Sequence, residues 1–277
     1  MSNSPWSHMR SASVADDIDF EIKGQELQFV EIELDPGESA VAEAGAFVWK
    51  DASIEMTTVF GDGSGDQGSG FMGKLLGAGK RLVTGESLFT TVFTHNGRGK
   101  ARVAFASPTP GAILPIRLAE YGGTLICQKD AFLAAAKGVS IGVQFQRRVM
   151  TGLFGGEGFI MQRLDGDGWV FVQMGGTVVE RELAAGEELH VDTGCLAAYT
   201  PSVDFDLQTV GGIKSMITGG EGVFFARLRG PGKVWIQSLP FSRLAGRMLA
   251  AAGSRGGQSR GEGSVLGGFG DLIGGNN

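Results

Sequence analysis

Histidine, cysteine and tyrosine are scarce in this chain, at three, two and two of 277 residues. A catalytic metal held by several converging imidazoles needs more than that. His8 lies in the N-terminal tail, His95 in a hairpin turn and His190 in a strand, so no metal centre is expected. Cys127 and Cys195 each sit inside an apolar stretch and read as buried free thiols of a reducing compartment, the cytoplasm, rather than as a disulfide framework. Positive charge is also short: 24 Lys and Arg stand against 30 Asp and Glu, a net charge of -6. No general cationic field is there to attract phosphate backbones, which disfavours nucleic acid as a partner. Runs of about 18 uncharged apolar residues, which a spanning helix needs, are absent, and "MSNSPWSHMR" has no apolar centre for a signal peptide. Peripheral membrane association is left open.

Glycine is abundant, with 47 residues, and 42% of the chain is hydrophobic. That much apolar content can bury a substantial core, and glycine without a Gly-X-Y period marks many tight turns, hence a β-rich fold. The turns recur. "GESLF" at Gly85, "GEGFI" at Gly156 and "GEGVF" at Gly220 are spaced 71 and 64 residues apart. "GESAVAEAGAFVW" at Gly37, "GGTLICQKDAFLA" at Gly122 and "GEELHVDTGCLAA" at Gly186 are spaced 85 and 64 apart. The shared spacing of 64 describes a triplication, and the first copy carries 14 additional residues between its two blocks. The insertion falls in "GDGSGDQGSGFMGKLLGAGKRL", residues 61–82, a Gly/Ser loop followed by a short apolar piece.

Further columns hold the alignment: Ile54, Val139 and Val203; Met56, Ile141 and Phe205; Thr58, Val143 and Leu207. Alternation at every second residue argues strand. The strand after each Gly-Glu corner is apolar on both faces, with Phe89, Ile160 and Phe224, then Phe93, Leu164 and Leu228, on one side. Leu88, Phe159 and Val223, then Thr90, Met161 and Phe225, occupy the other. Such a strand needs cover on both sides, expected from neighbouring repeats or sister subunits. The turns "THNGRG", "DGDG" and "RGPG" then lead into "KARVAF", "WVFVQM" and "KVWIQS", the pattern of hairpins, with Lys100, Trp169 and Lys233 in one column. Past Pro240, "FSRLAGRMLAAA" suits a short helix and the remainder a solvated Gly-rich tail.

"LVTGESLFTTVFT", "PGAILPIRLAEYGGTLICQKDAFLAAAKGVSI", "GGEGFIMQRLDGDGWVFV" and "GGEGVFFARLRGPGKVWIQS" resemble bacterial members of the altered-inheritance-of-mitochondria family, named for a fungal mitochondrial biogenesis protein. The resemblance covers roughly Ile18 to Pro240. It implies a fold similar to the tryptophan RNA-binding attenuation protein: three β domains in one chain, assembling as a homotrimer into a ring-like body. It transfers no enzymatic activity, and the fungal relative's link to inner-membrane organisation suggests scaffolding. The expected fold is therefore all-β, three tandem β-sandwich or double-stranded-β-helix-like repeats with internal pseudo-threefold symmetry and a short C-terminal helix. The expected division is an N-terminal extension 1–17, repeats 18–108, 109–175 and 176–240, and a helix with tail 241–277.

Glu86, Glu157 and Glu221 share one repeated position, where a pseudo-threefold axis would gather them for a cation, or where each would accept hydrogen bonds from turn amides. Arg163 and Arg227 share another, with Val92 in the first copy, and read as partners of nearby carboxylates. These five are the candidate binding residues. "GSGFMG", Gly68 to Gly73, fits a dinucleotide fingerprint but lacks the βαβ unit that aims a helix at pyrophosphate. "GAGKRL" has Arg81 where a phosphate loop needs Ser or Thr. "GES" has Phe89 where a nucleophile elbow needs Gly, and Gly158 and Gly222 replace Ser87. No catalytic residue and no cofactor are assigned. The expected protein is a non-enzymatic scaffold or assembly protein, with the 61–82 loop and the C-terminal tail as partner-binding elements. The alternative is a ring protein that holds a ligand or RNA in clefts between repeats or subunits.

Overall fold

Period-two alternation between glycine-bearing turns makes most of the described residues strands. The computed structural model describes residues 15–43, 45–60, 89–107, 109–147, 159–209 and 224–253. The 61–82 loop and the C-terminal tail lie outside them. The first strands are β1 (Asp19–Lys23), β2 (Phe29–Leu34), β3 (Ser39–Glu43), β4 (Phe47–Lys50), β5 (Ile54–Phe60), β6 (Phe89–His95) and β7 (Ala101–Ala106). Next come β8 (Gly111–Arg117), β9 (Thr124–Gln128), β10 (Phe132–Ala136), β11 (Ser140–Arg147), β12 (Phe159–Asp165) and β13 (Trp169–Gly175). The last are β14 (Val178–Leu183), β15 (Glu188–Asp192), β16 (Leu196–Tyr199), β17 (Asp204–Thr209), β18 (Phe224–Arg229) and β19 (Gly232–Gln237). Helix α1 (Phe241–Gly253) follows. The protein is thus mostly β with a short C-terminal helix, and among the described residues no helix is long and apolar enough to cross a membrane. Residues up to Arg243 form one compact unit and those from Leu244 another.

Four antiparallel sheets carry the first unit, in the orders β1-β2-β7-β4, β5-β6-β3-β10-β13-β8, β11-β12-β9-β16-β19-β14 and β15-β18-β17. The two larger sheets are each closed in the middle by a pair of strands distant in sequence. Ala134 lies opposite Ala42 and Ala135 opposite Val41 where β10 meets β3. Ala198 lies opposite Cys127 and Tyr199 opposite Ile126 where β16 meets β9. The β3–β10 ladder crosses the boundary expected near residue 108. Three bulges recur on the opposite side of the same kind of strand, at Phe47/Trp49 in β4, Phe132/Ala134 in β10 and Leu196/Ala198 in β16. Each bends its strand and raises the local twist.

The turn glycines of the second repeated block have a backbone reason for being glycine. Gly37, Gly122 and Gly186 have φ of 95°, 72° and 81°, a left-handed conformation that a Cβ would strain. Residues 15–17 are no free extension: Ala15 is buried, its amide donates to Asp167 Oδ1 at 2.8 Å, and Ser39 N donates to Asp16 Oδ2 at 2.8 Å. Strand β1 then adds to the β2 edge in register, Phe20 opposite Ile32.

Of the two sources of cover expected, neighbouring repeats or sister subunits, the core shows cover from within the chain. Much of the strands after the Gly-Glu corners is buried within the single chain: Phe93, Phe159, Met161, Leu164 and Leu228 are each no more than 1% exposed and Ile160 is 8% exposed, while Phe225 is half-buried. Sheet packs on sheet inside the chain, so these strands do not require sister subunits for cover. Phe171 shows the packing. It is fully buried on β13, opposite Pro115 and Ala134, with the Phe20 ring edge-on at 4.9 Å. Phe171→Ala is expected to lower stability by about 3–5 kcal/mol, measured by urea unfolding, because the cavity lies between two sheets that cannot collapse onto it.

Candidate functional site

Glu86, Glu157 and Glu221 lie outside the described residues. Arg163 and Arg227 sit on different sheets and each is engaged by carboxylates. Arg163 Nε donates to Asp165 Oδ2 at 2.7 Å and its Nη2 to Thr124 Oγ1 at 3.1 Å. Arg227 reaches Glu188 at 3.2 Å, Asp204 at 3.5 Å and Asp206 at 3.9 Å. The two guanidinium groups are cross-strand ties, not halves of one clamp.

A different Gly-Glu pair serves as the turn device. Glu38, after Gly37, accepts the Asp35 amide at 2.8 Å, and Glu187, after Gly186, accepts the Ala184 amide at 2.9 Å. Its signals were "DPGES" and "AAGEE", each a carboxylate three residues after the amide it caps.

His95 is fully buried and held by its own hairpin: Nδ1 accepts from Gly97 N at 3.3 Å, and Nε2 contacts Gly99 O at 2.8 Å. His190 is exposed on β15 and bonded to Glu188 at 2.9 Å. Among the described residues no group of three or more His, Cys, Asp or Glu side chains lies close enough to hold a metal ion. Burial raises the Cys127 thiol to about 12. Cys195 is only half-buried, contrary to the expectation, and is also raised, chiefly by burial. Arg243 lies beside Cys195 but is opposed there by Asp192, and with both thiols raised neither is set up as a nucleophile.

A polar concave feature lies where β3, β10 and β13 converge, which period-two alternation in the sequence does not reveal. A cleft of about 210 Å³ is lined by Glu43, Asp130, Thr109, Phe132, Gln173 and Phe241, among others. Beside it, a water-sized space of about 20 Å³ touches Gln128, Asp130, Gln173 and Gln237. Gln237 is fully committed: Oε1 accepts from Gly175 N at 2.8 Å, and Nε2 donates to Gln128 Oε1 at 3.2 Å and Gly194 O at 2.9 Å. Gln173 is not. Its Nε2 donates to Thr109 O at 3.3 Å, but its buried Oε1 has no hydrogen-bond partner among the described residues. Burial, reinforced by the Asp130 carboxylate and opposed by Lys129, pushes Glu43 up from 4.5 to about 7.

Because Glu43 holds its proton more tightly folded than unfolded, stability falls as pH rises from about 4.5 to about 7. Glu43→Gln is expected to flatten that slope and to stabilise the protein at pH 8 by up to about 3 kcal/mol, checked by urea titrations across pH.

Comparison with known proteins adds the following. The family described as Mitochondrial biogenesis AIM24 matches residues 20–239. An uncharacterized protein of Streptococcus pyogenes serotype M6 is 32% identical over 230 residues, covering 82% of this chain and 87% of its own. The crystal structure of a Streptococcus pyogenes protein superimposes with a TM-score of 0.66 at 27% identity, over 84% of this chain and 99% of that one.

Proposed function

Since the chain belongs to the Mitochondrial biogenesis AIM24 family, we propose that it is a non-catalytic cytoplasmic scaffold, three copies of one six-stranded β unit assembling as a homotrimer. The unit reading, with a fold like that of the tryptophan RNA-binding attenuation protein, is supported by recurrence of the pairings. β2·β7, β8·β13 and β14·β19 are one kind of pair, and β4·β7, β10·β13 and β16·β19 a second. β3·β6, β9·β12 and β15·β18 make a third, and β5·β6, β11·β12 and β17·β18 a fourth. The bulges at Phe47, Phe132 and Leu196 stand 85 and 64 residues apart, the spacing of Gly37, Gly122 and Gly186.

The observation that carries the assembly reading is β4. Phe47 is 42% exposed, Val48 50% and Trp49 36%, on a strand at the edge of its sheet. A chain that buries Phe171 and Trp235 leaves these three consecutive apolar residues to solvent, the signature of a surface that another polypeptide covers. Sedimentation velocity at micromolar concentration is expected to give a particle of three 29.0 kDa chains, and a monomer would overturn the proposal.

A second reading, a small-molecule binding module, draws on the cleft of Glu43 and Gln173. With two acidic side chains, one of them held towards its neutral form by burial, and an unpartnered amide oxygen, it suits a neutral or cationic hydrogen-bond donor better than an RNA phosphate. Native mass spectrometry of the purified protein tests it: a retained small molecule lost in Gln173→Leu supports the reading, and an adduct-free chain removes it.

A further inference from the structure

Within the chain one kind of strand pair joins successive copies, and it occurs twice: β3 with β10 and β9 with β16. The third copy's counterpart of β3 and β9 is β15, and the first copy's counterpart of β10 and β16 is β4. These two strands end their sheets, whereas all four counterparts are paired on both sides. The other sheet-end strands β5, β11 and β17 are ends in every copy, and so are β8 and β14, while β2 is covered by β1. Only β4 and β15 lack, among the described residues, a neighbour that their counterparts have.

Burial marks the same two strands. Phe132 and Leu133 are 3% and 2% exposed, and Ala134, Leu196, Ala197 and Ala198 are fully buried, yet their counterparts Phe47, Val48 and Trp49 are 42%, 50% and 36% exposed. On β15 the exposed Glu188 and His190 stand where β9 buries Thr124 and Ile126.

We infer that β4 of one copy of this chain pairs antiparallel with β15 of a second copy, head to tail, repeating between chains the ladder that joins repeats within one. Carrying over the printed registers places Trp49 opposite Val191 and Lys50 opposite His190. The chemistry matches in that register. Trp49 meets the buried, core-facing Val191, while Lys50, which has no ion pair among the described residues, meets the solvent face of β15 with Glu188 and Asp192 as diagonal neighbours within reach of its long side chain. A slip of one residue would set Lys50 against Val191 and Trp49 among carboxylates. Because the two edges differ, the contact is heterologous, and it closes into a ring when the rotation per chain allows. This deepens the assembly reading and rests on it.

Two full-length variants test the pairing: Lys50→Cys and His190→Cys, at residues outside the core, with the unsubstituted protein as control for Cys127 and Cys195. Mixed and oxidised, they are expected to give a disulfide-linked pair at least ten-fold more abundant than either variant alone. Equal linkage in Lys50→Cys alone would mean a symmetric contact and would overturn the inference. Sedimentation of the same samples separates the two levels. Trimers that form no 50–190 link overturn the edge pairing and leave the assembly reading standing. A monomer, with β4 left for a strand of some other protein, overturns both. Lys50→Glu, which sets a third carboxylate beside Glu188 and Asp192, is expected to raise the concentration for assembly at least ten-fold, and no change would count against the pairing.

Discussion

The pairing of β3 with β10 and of β9 with β16 is the constraint on which the rest of the molecule depends. Each ladder is only two or three residue pairs long, yet it turns two three-stranded pieces into one six-stranded sheet. A strand buried on both faces has nowhere to hydrogen-bond except a neighbouring strand, so losing the ladder would leave unpaired amides in apolar surroundings. The residues at the join are small: Ala40, Val41 and Ala42 against Ala134, Ala135 and Ala136. Small side chains let the covering sheet approach closely, and all six are at most 1% exposed.

The contrast in residue size follows from that constraint. Where β10 has "FLAAA" and β16 "LAAY", β4 has "FVWK". Trp49 stands where β10 and β16 have Ala134 and Ala198, and Lys50 where they have Ala135 and Tyr199, on a strand that ends its sheet. Soluble proteins blunt sheet edges with charge, brevity or bulges. β4 is short, bulged and ends in Lys50, so it resists indiscriminate pairing, while its apolar residues keep a specific pairing favourable.

Much of this was legible in the sequence, and the limits are physical. The 64-residue spacing and the columns through Ile54, Val139 and Val203 located strands correctly, since period-two burial is written into each strand; all three are buried. Alternation says which face a residue takes but not which strand lies beside it, so the ladders between distant segments left no trace. Hairpin length was misjudged for the same reason. Lys100 was aligned with Trp169 and Lys233, but pairing sets Arg102 opposite Glu33 as it sets Trp169 opposite Arg117 and Lys233 opposite Glu182. Lys100 falls in the longer turn and binds Glu33 at 2.6 Å. A glycine-rich turn absorbs extra residues without disturbing the strands it joins, so sequence alone could not place the shift.

The polar cleft is the remaining piece that follows from the joins. Gln128 and Gln237 meet beside the β9–β16 join as a satisfied amide pair. Beside the β3–β10 join stand Glu43 and Gln173, which line one cleft, one with a raised pKa and the other with an unpaired amide oxygen. Gln128 Oε1 accepts from Gln237 Nε2, a role that a carboxylate oxygen also fills, whereas Gln173 Oε1 needs a donor, which a carboxyl group supplies only when protonated. Desolvation at the join and the Asp130 carboxylate act in the same direction, towards a neutral Glu43. The two joins therefore differ: one closes on a satisfied amide pair, and the other sets an acceptor without a donor in the same cleft as a carboxyl whose proton burial retains.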